Sequence, residues 1–98
     1  MTSPEKELEI SAEKFLKKIG AEFRKFGNYA HGKYRNKKGT FDWLVSYRNT
    51  LIWIEWKIKP NKPSDDQIEF GEWINKHNNG KAVVCYSIED MWNILKTF

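Results

Sequence analysis

The sequence predicts a single α/β domain in the element order αβββαβα, with helices flanking a mixed central sheet. Two apolar strands, 41–47 and 51–58, are separated by a very short connection, which favours an antiparallel hairpin. A capped helix then joins the second strand to a further apolar strand at 82–86. A helical crossover of this kind makes the joined strands parallel. The 98 residues suffice for one domain with a modest core.

Composition restricts the classes of protein that this chain can belong to. Hydrophobic residues at 40% and charged residues at 31% describe a soluble globular chain, with no apolar run of the roughly 18 residues that a membrane span needs. The lone Cys85 excludes an internal disulfide and a multi-cysteine zinc site. The N-terminus has no apolar signal segment, so we expect a cytoplasmic protein without a membrane partner. The net charge of +4 permits a polyanionic partner such as nucleic acid.

The first helix is predicted over 4–19, where apolar residues recur at helical spacing. Ser3 is a suitable N-cap and Gly20 a suitable terminator. Glu5 and Glu9 lie on the stripe that faces the body of the protein. For Glu9, a role at the helix dipole or rim and a functional role both remain open.

Residues 21–28 alternate weakly and predict an edge strand. A basic loop over 29–39 follows, and its charge and aromatic content suit contacts with phosphates as well as simple solvation. The basic residues of this loop that we predict to contact DNA are Lys33, Arg35, Lys37 and Lys38.

Charged residues interrupt both strands of the predicted hairpin. Asp42 lies in the first strand, and Glu55 and Lys57 lie in the second. If the connection has two residues, counting outward from the turn places Asp42 directly opposite Glu55, with Cβ atoms about 5 Å apart. Residues two apart share a face, so Lys57 joins them. A connection of odd length would instead turn Asp42 to the other face.

Two carboxylates that face each other in an apolar sheet repel strongly. A divalent cation between them would remove the repulsion, and hard oxygen ligands suit Mg²⁺ or Mn²⁺. The alternative is a structural Asp–Lys–Glu network that binds no metal. The two interpretations differ in whether a divalent metal raises thermal stability.

The second helix begins with a capping box, in which Ser64 is the N-cap and Gln67 follows three residues later. Gln67 could serve that cap, a functional site, or both. The residues expected on the inner face of this helix are Phe70, Trp73 and Ile74, with His77 as a further candidate.

The last helix is predicted over 88–96 behind the N-cap Ser87. Met91, Trp92 and Leu95 recur at helical spacing and are expected to pack inward.

The element order and the polar residues together resemble the PD-(D/E)XK nuclease superfamily, and within it the small virus-type replication-repair nuclease (VRR-NUC) branch. The resemblance covers nearly the whole chain. Its matching segments are Glu9 on the first helix, Gly39-Thr40-Phe41-Asp42, Ile54-Glu55-Trp56-Lys57, Pro63-Ser64-Asp65-Asp66-Gln67, the strand from Gly80 to Val84, and Ser87-Ile88-Glu89-Asp90. Phe41 departs from the proline that the branch has there.

The resemblance implies a restriction-endonuclease-like αβββαβα core and a Mg²⁺-dependent endodeoxyribonuclease, with Mn²⁺ able to substitute. Asp42, Glu55 and the backbone carbonyl of Trp56 would bind the metal, and Glu9 would complete the acidic site. Lys57 would position the attacking water or stabilise the developing charge. Gln67 would orient Lys57 or a phosphate oxygen.

The same resemblance implies a homodimer that cuts branched DNA such as four-way (Holliday) junctions in DNA repair. The small size of the domain suggests a phage or bacterial origin. Lys59 and Lys62 would add DNA-backbone contacts to those of the 29–39 loop. Two alternatives stay open at this point. One is a nickase or a flap- or end-processing nuclease, and the other is a non-catalytic DNA-binding module that kept the fold.

Overall fold

A computed structural model describes residues 3–26 and 39–98, which form three helices and one four-stranded sheet. The elements are α1 (Pro4–Ile19), β1 (Glu22–Lys25), β2 (Trp43–Tyr47), β3 (Thr50–Trp56), α2 (Asp65–Asn75), β4 (Ala82–Cys85) and α3 (Ile88–Leu95). The strand order is β1-β2-β3-β4, antiparallel except for the parallel pair β3–β4. This arrangement confirms the predicted αβββαβα order and mixed sheet. None of the helices in the described part of the chain is both long enough and apolar enough to cross a membrane.

Helix α1 begins and ends as its sequence predicts. The Ser3 hydroxyl accepts a hydrogen bond of 3.2 Å from the Lys6 backbone N–H, and Gly20 ends the helix in the left-handed conformation at φ 79°. Ala12 and Leu16 are fully buried on the inner face. The edge strand expected within 21–28 is β1, and the basic loop, apart from Gly39 at its end, lies outside the described residues together with its predicted DNA contacts.

The β2–β3 hairpin has the predicted two-residue connection. Arg48 and Asn49 both have positive φ, at 49° and 64°, which is the backbone of the tight turns that match strand twist. Tyr47 pairs with Thr50, and the register continues to Trp43 opposite Ile54. The next step outward brings Asp42 opposite Glu55. The predicted even-length turn and register are therefore confirmed.

The main core lies between one face of the sheet and the helices α1 and α3. Strand alternation places every second residue of β2 and β3 on this face, and Cys85 of β4 joins them. The fully buried members include Trp43, Val45, Ile52, Ile54, Trp56, Cys85, Ala12, Leu16, Met91 and Leu95. The inward packing expected for Met91 and Leu95 is confirmed, and Trp92 is partly buried against this core.

Helix α2 packs on the opposite face of the sheet, where Phe70 meets the ring of Trp53 with centroids 5.4 Å apart. Gly71 is the buried residue of α2, and a Cβ there would lie 3.2 Å from the ring of Phe41. The missing side chain therefore lets the helix approach Phe41. Because the helix approaches through Gly71 and Phe70, Trp73 turns away.

The expected inner face of α2 needs a correction at two positions. Trp73 is 54% exposed, and His77 is exposed beyond the end of the helix at Asn75. The prediction was wrong at these two positions because it used only the helical period, which does not determine how close α2 comes to the sheet. Phe70 and Ile74 are partly buried, as that prediction requires.

Two glycines with positive φ offer a matched test of the close contact between the chain before Asp42 and the start of α2. A Cβ on Gly39 (φ 92°) would lie 2.5 Å from the Asp66 backbone oxygen, whereas Gly20 (φ 79°) has no heavy atom within 4 Å of that position. We expect Gly20→Ala to cost about 1 kcal/mol of unfolding free energy from backbone strain alone. Gly39→Ala should cost at least about 1 kcal/mol more, because the collision adds to the strain.

Urea denaturation of the two variants beside the wild type measures this difference. Equal losses of stability in the two variants would contradict the close approach of Gly39 to the start of α2.

Candidate active site

Asp42 and Glu55 meet where the β2–β3 ladder ends. The Glu55 carboxylate is 3% exposed, and its Oε1 accepts a hydrogen bond of 3.1 Å from the Asp42 backbone N–H. The side chain of Glu55 thus caps the strand end with a charge-assisted bond. The observed β2 begins one residue later than Asp42. The predicted approach of Asp42 to Glu55 is confirmed.

The second oxygen of Glu55 receives two further donors. The Gln67 Nε2–H donates to Oε2 at 2.9 Å, and the Lys57 ammonium lies 3.7 Å from the same oxygen. Buried carboxylates are stable only when hydrogen bonds or charges replace their water. The backbone N–H, the amide and the ammonium together meet that requirement.

Gln67 serves both the helix cap and the acidic site. Its side-chain Oε1 accepts a hydrogen bond of 2.9 Å from the Ser64 backbone N–H, while the Gln67 backbone N–H donates to Ser64 Oγ at 3.2 Å. The capping box is therefore complete, and it leaves the amide N–H₂ for Glu55. The role that we predicted for Gln67, to orient Lys57 or a phosphate oxygen, stays a prediction; in the structure its amide donates to Glu55 Oε2, the oxygen beside which Lys57 also lies.

Burial and mutual repulsion raise the pKa of both acids. Burial raises the pKa of Asp42 to about 6, with the charge of Glu9 and then of Glu5 adding to it. A side-chain hydrogen bond with Glu55 and the charge of Lys57 offset part of this shift. Burial and the charge of Asp42 raise the pKa of Glu55 to about 8, again partly offset by Lys57. The pair therefore holds a proton more tightly than two separate acids would.

Glu9 brings a third carboxylate to this end of the sheet from α1. Its side chain is partly buried, and Oε1 accepts a hydrogen bond of 3.2 Å from the Trp43 indole N–H. Its charge acts on Asp42. We did not predict a site role for Trp43 from the sequence, although its place beside Asp42 in an apolar strand was a usable signal.

The described residues do not contain a ready-made metal cage, since no three of their His, Cys, Asp or Glu side chains are grouped closely enough to hold an ion. The donors nevertheless suit a hard cation, because the facing carboxylates supply oxygen ligands and repel each other. Asp42 and Glu55 are thus residues that could hold one, whereas Glu9 is not grouped with them closely enough to complete a three-carboxylate site among the described residues.

Trp56, whose carbonyl we predicted as a ligand, follows Glu55 and pairs with Cys85. Its own side chain is fully buried, and the indole N–H has no hydrogen-bond partner among the described residues.

The predicted DNA-contacting lysines are only partly within the described chain. Lys59 and Lys62 are exposed in the loop that joins β3 to α2, so they lie between Lys57 and Gln67 along the chain. The Lys59 ammonium is 5.7 Å from the ring centre of Tyr86. Lys33, Arg35, Lys37 and Lys38 lie outside the described residues.

Comparison with known proteins supports the fold assignment. A solved structure described as a VRR_NUC domain superposes with a TM-score of 0.71 and 22% sequence identity, and the match covers 99% of each chain. No family model matches the sequence, and no curated protein matches it either. The predicted resemblance is therefore confirmed at the level of the fold, and the chain is similar to a VRR_NUC domain over its whole length.

The raised pKa values predict how stability depends on pH without metal. A folded-state pKa above the unfolded value gives stability at low pH that is lost as the pH rises through the folded pKa. For Glu55 that window extends from 4.5 to about 8. We expect the free energy of unfolding to fall across it, and to fall less in Asp42→Asn, which removes the opposing charge.

Urea unfolding in EDTA at several pH values across this window measures the two slopes. Glu22→Gln, which removes an exposed carboxylate from β1, is the control and should keep the wild-type slope. An Asp42→Asn slope equal to that of the wild type would contradict the repulsion between Asp42 and Glu55.

Proposed function

We propose that this protein is a divalent-metal-dependent endonuclease that hydrolyses phosphodiester bonds in DNA, with branched DNA such as four-way junctions as its substrate. One observation supports this most strongly. A pair of carboxylates, the buried Glu55 and the partly buried Asp42, faces a lysine at the strand end of a fold similar to a VRR_NUC domain. Because one fold hosts many functions, the proposal depends on these side chains more than on the fold.

Asp42 and Glu55 would hold Mg²⁺ or Mn²⁺, together with the backbone carbonyl of Trp56 and with Glu9 directly or through water. A bound divalent ion would neutralise charge on the scissile phosphate and lower the pKa of a bound water. The donor set is consistent with this assignment, because burial and repulsion already disfavour two bare negative charges. A cation would remove the repulsion that protonation relieves in the metal-free protein.

Lys57 is the group proposed to act on the reacting atoms. Its side chain is 23% exposed and its ammonium lies 3.7 Å from Glu55, so it borders the acidic pair and still contacts solvent. From there it would position the attacking water or stabilise charge that develops on the phosphate. Gln67 would act through Glu55, whose Oε2 it holds at 2.9 Å.

The net charge of +4 supports a polyanionic substrate. Lys59 and Lys62 are exposed in the loop between Lys57 and Gln67, where they would contact the DNA backbone beside the acidic pair. The basic residues 33–38 would extend this contact. A homodimer with two-fold symmetry would present two such sites, which suits paired cuts across a symmetric junction.

Cleavage of a labelled four-way junction, compared with linear duplex and single strand, tests the proposal. We expect wild type to cut the junction in Mg²⁺ or Mn²⁺ and not in EDTA. Asp42→Asn and Lys57→Ala should each lower the rate by at least about 100-fold. Lys18→Ala also removes one positive charge, from the exposed last turn of α1, and should leave the rate unchanged.

The substrate comparison separates the parts of the proposal. Equal metal-dependent cutting of all three substrates would contradict the junction preference and retain the nuclease. Cleavage of only one strand of the junction, without the symmetric second cut, would contradict the paired mechanism and favour a nickase or flap nuclease. Binding of the junction without cutting by wild type would contradict catalysis and favour a DNA-binding module.

A further inference from the structure

Tyr86 follows β4 at the point where the parallel pair β3–β4 ends. The register pairs Trp56 with Cys85, and the Lys57 backbone N–H donates to the Cys85 carbonyl at 3.0 Å, so the ladder continues past Trp56. The next step of the register brings Tyr86 opposite Lys57, on a strand about 5 Å away. Tyr86 is therefore the neighbour of Lys57 across the strand pair.

Strand alternation places the Tyr86 side chain on the same face of the sheet as the acidic pair. Cys85 is fully buried in the core on the side of α1 and α3, so Tyr86, one residue later, points to the opposite face. Glu55 and Lys57 lie on that opposite face, where the Lys57 ammonium is 3.7 Å from Glu55 Oε2. The phenol ring thus lies beside the lysine that we propose to act on the scissile phosphate.

The polar groups around the Tyr86 ring suit an anion. The Lys59 ammonium lies 5.7 Å from the ring centre, and Lys57 is the neighbour of Tyr86 across the ladder. The ring is partly exposed, and within the described part of the chain its hydroxyl forms no hydrogen bond. A tyrosine O–H is one of the side-chain donors that contact DNA phosphates. A free donor beside two lysines is therefore available to a phosphate.

The first turn of α3 fixes the backbone that carries Tyr86. The Tyr86 backbone N–H donates to Asp90 Oδ2 at 2.9 Å, and the Asp90 N–H donates to Ser87 Oγ at 3.1 Å. These bonds tie the end of β4 to the start of α3, which packs on the core face of the sheet. Because its backbone is already ordered, Tyr86 would lose little conformational freedom when it binds a ligand.

We propose that Tyr86 and Lys59 form a phosphate-binding subsite, in which the phenol O–H donates to a DNA phosphate oxygen and the ammonium neutralises its charge. Tyr86 lies opposite Lys57, and Glu55 lies about 7 Å further back along the same face of β3. The phosphate bound here would therefore be a neighbour of the scissile one. This inference deepens the proposed function and rests on it, since DNA must be the ligand, but it does not require a bound metal.

Equilibrium binding of a labelled four-way junction in EDTA, at several salt concentrations, tests the subsite without measuring cleavage. Tyr86→Phe keeps the ring and its contact with Lys59 and removes only the hydroxyl. We expect it to raise Kd at least about 5-fold and to leave the salt dependence unchanged, because no charge is lost. Lys59→Ala should raise Kd and also reduce the slope of log Kd against log salt by about 1.

Tyr47→Phe is the matched control, since it also removes one phenol hydroxyl from the sheet. Tyr47 pairs with Thr50 beside the hairpin turn, at the opposite end of β2 from Asp42, and its replacement should leave Kd unchanged. If Tyr86 and Lys59 hold the same phosphate, Tyr86→Phe should raise Kd by a smaller factor in a Lys59→Ala background than in the wild type.

The outcomes separate this inference from the function on which it rests. No binding of DNA by wild type would overturn both. Binding that Tyr86→Phe leaves unchanged, or an equal loss of binding in Tyr47→Phe, would overturn the subsite alone. A wild type that binds the junction without cutting it in Mg²⁺ or Mn²⁺ would overturn the proposed catalysis, and a higher Kd in Tyr86→Phe would still support the subsite. If Tyr86→Phe does not fold, Lys59→Ala decides, and an unchanged salt slope in that variant would overturn the phosphate contact.

Discussion

The contact between Asp42 and Glu55 is the constraint on which the rest of the site depends. It places a glutamate that is 3% exposed against an aspartate, in a sheet whose other central residues are apolar. Removing carboxylates from water is costly, and their mutual repulsion adds to the cost. The Asp42 N–H, the Gln67 amide and the Lys57 ammonium offset this cost. Asp42 and Lys57 border the β2–β3 hairpin that carries Glu55, and Gln67 comes from α2, so the donor set is complete only when α2 packs on the sheet.

Local rules predict much of this arrangement. A two-residue turn in the left-handed conformation sets an even register, and counting along two strands then brings Asp42 opposite Glu55. The capping box places Gln67 in the first turn of α2. These predictions succeed because each depends only on neighbouring residues and on the fixed geometry of helices and strands.

Other features depend on how the layers pack, which local rules do not determine. The direction of the Gln67 amide towards Glu55 depends on where α2 lies on the sheet. The exposure of Trp73 depends on the close approach of Gly71 to Phe41, which turns the other side of the helix to solvent. The helical period also places Glu5 and Glu9 on the same stripe of α1. They differ in their contacts, because the Trp43 indole of the sheet donates a hydrogen bond to Glu9.

The fold is supported by a structural comparison, whereas the proposed chemistry is supported by the side chains of the site. The similarity to a VRR_NUC domain covers 99% of both chains at 22% identity, and it establishes the architecture. A nuclease is inferred from an acidic, partly shielded site within a chain of net charge +4. Under the proposed function, the exposed basic residues would attract DNA, and the Asp42–Glu55 pair would concentrate a divalent cation where the phosphate arrives.

A crystal structure of the protein soaked in Mn²⁺, with an anomalous difference map, tests the metal site most directly. We expect an anomalous peak between the carboxylates of Asp42 and Glu55, within coordination distance of both, that is lost in crystals of Asp42→Asn. No peak at this pair in well-ordered, metal-saturated crystals, or a peak only at other carboxylates, would contradict it. The Asp–Lys–Glu cluster would then be a structural network.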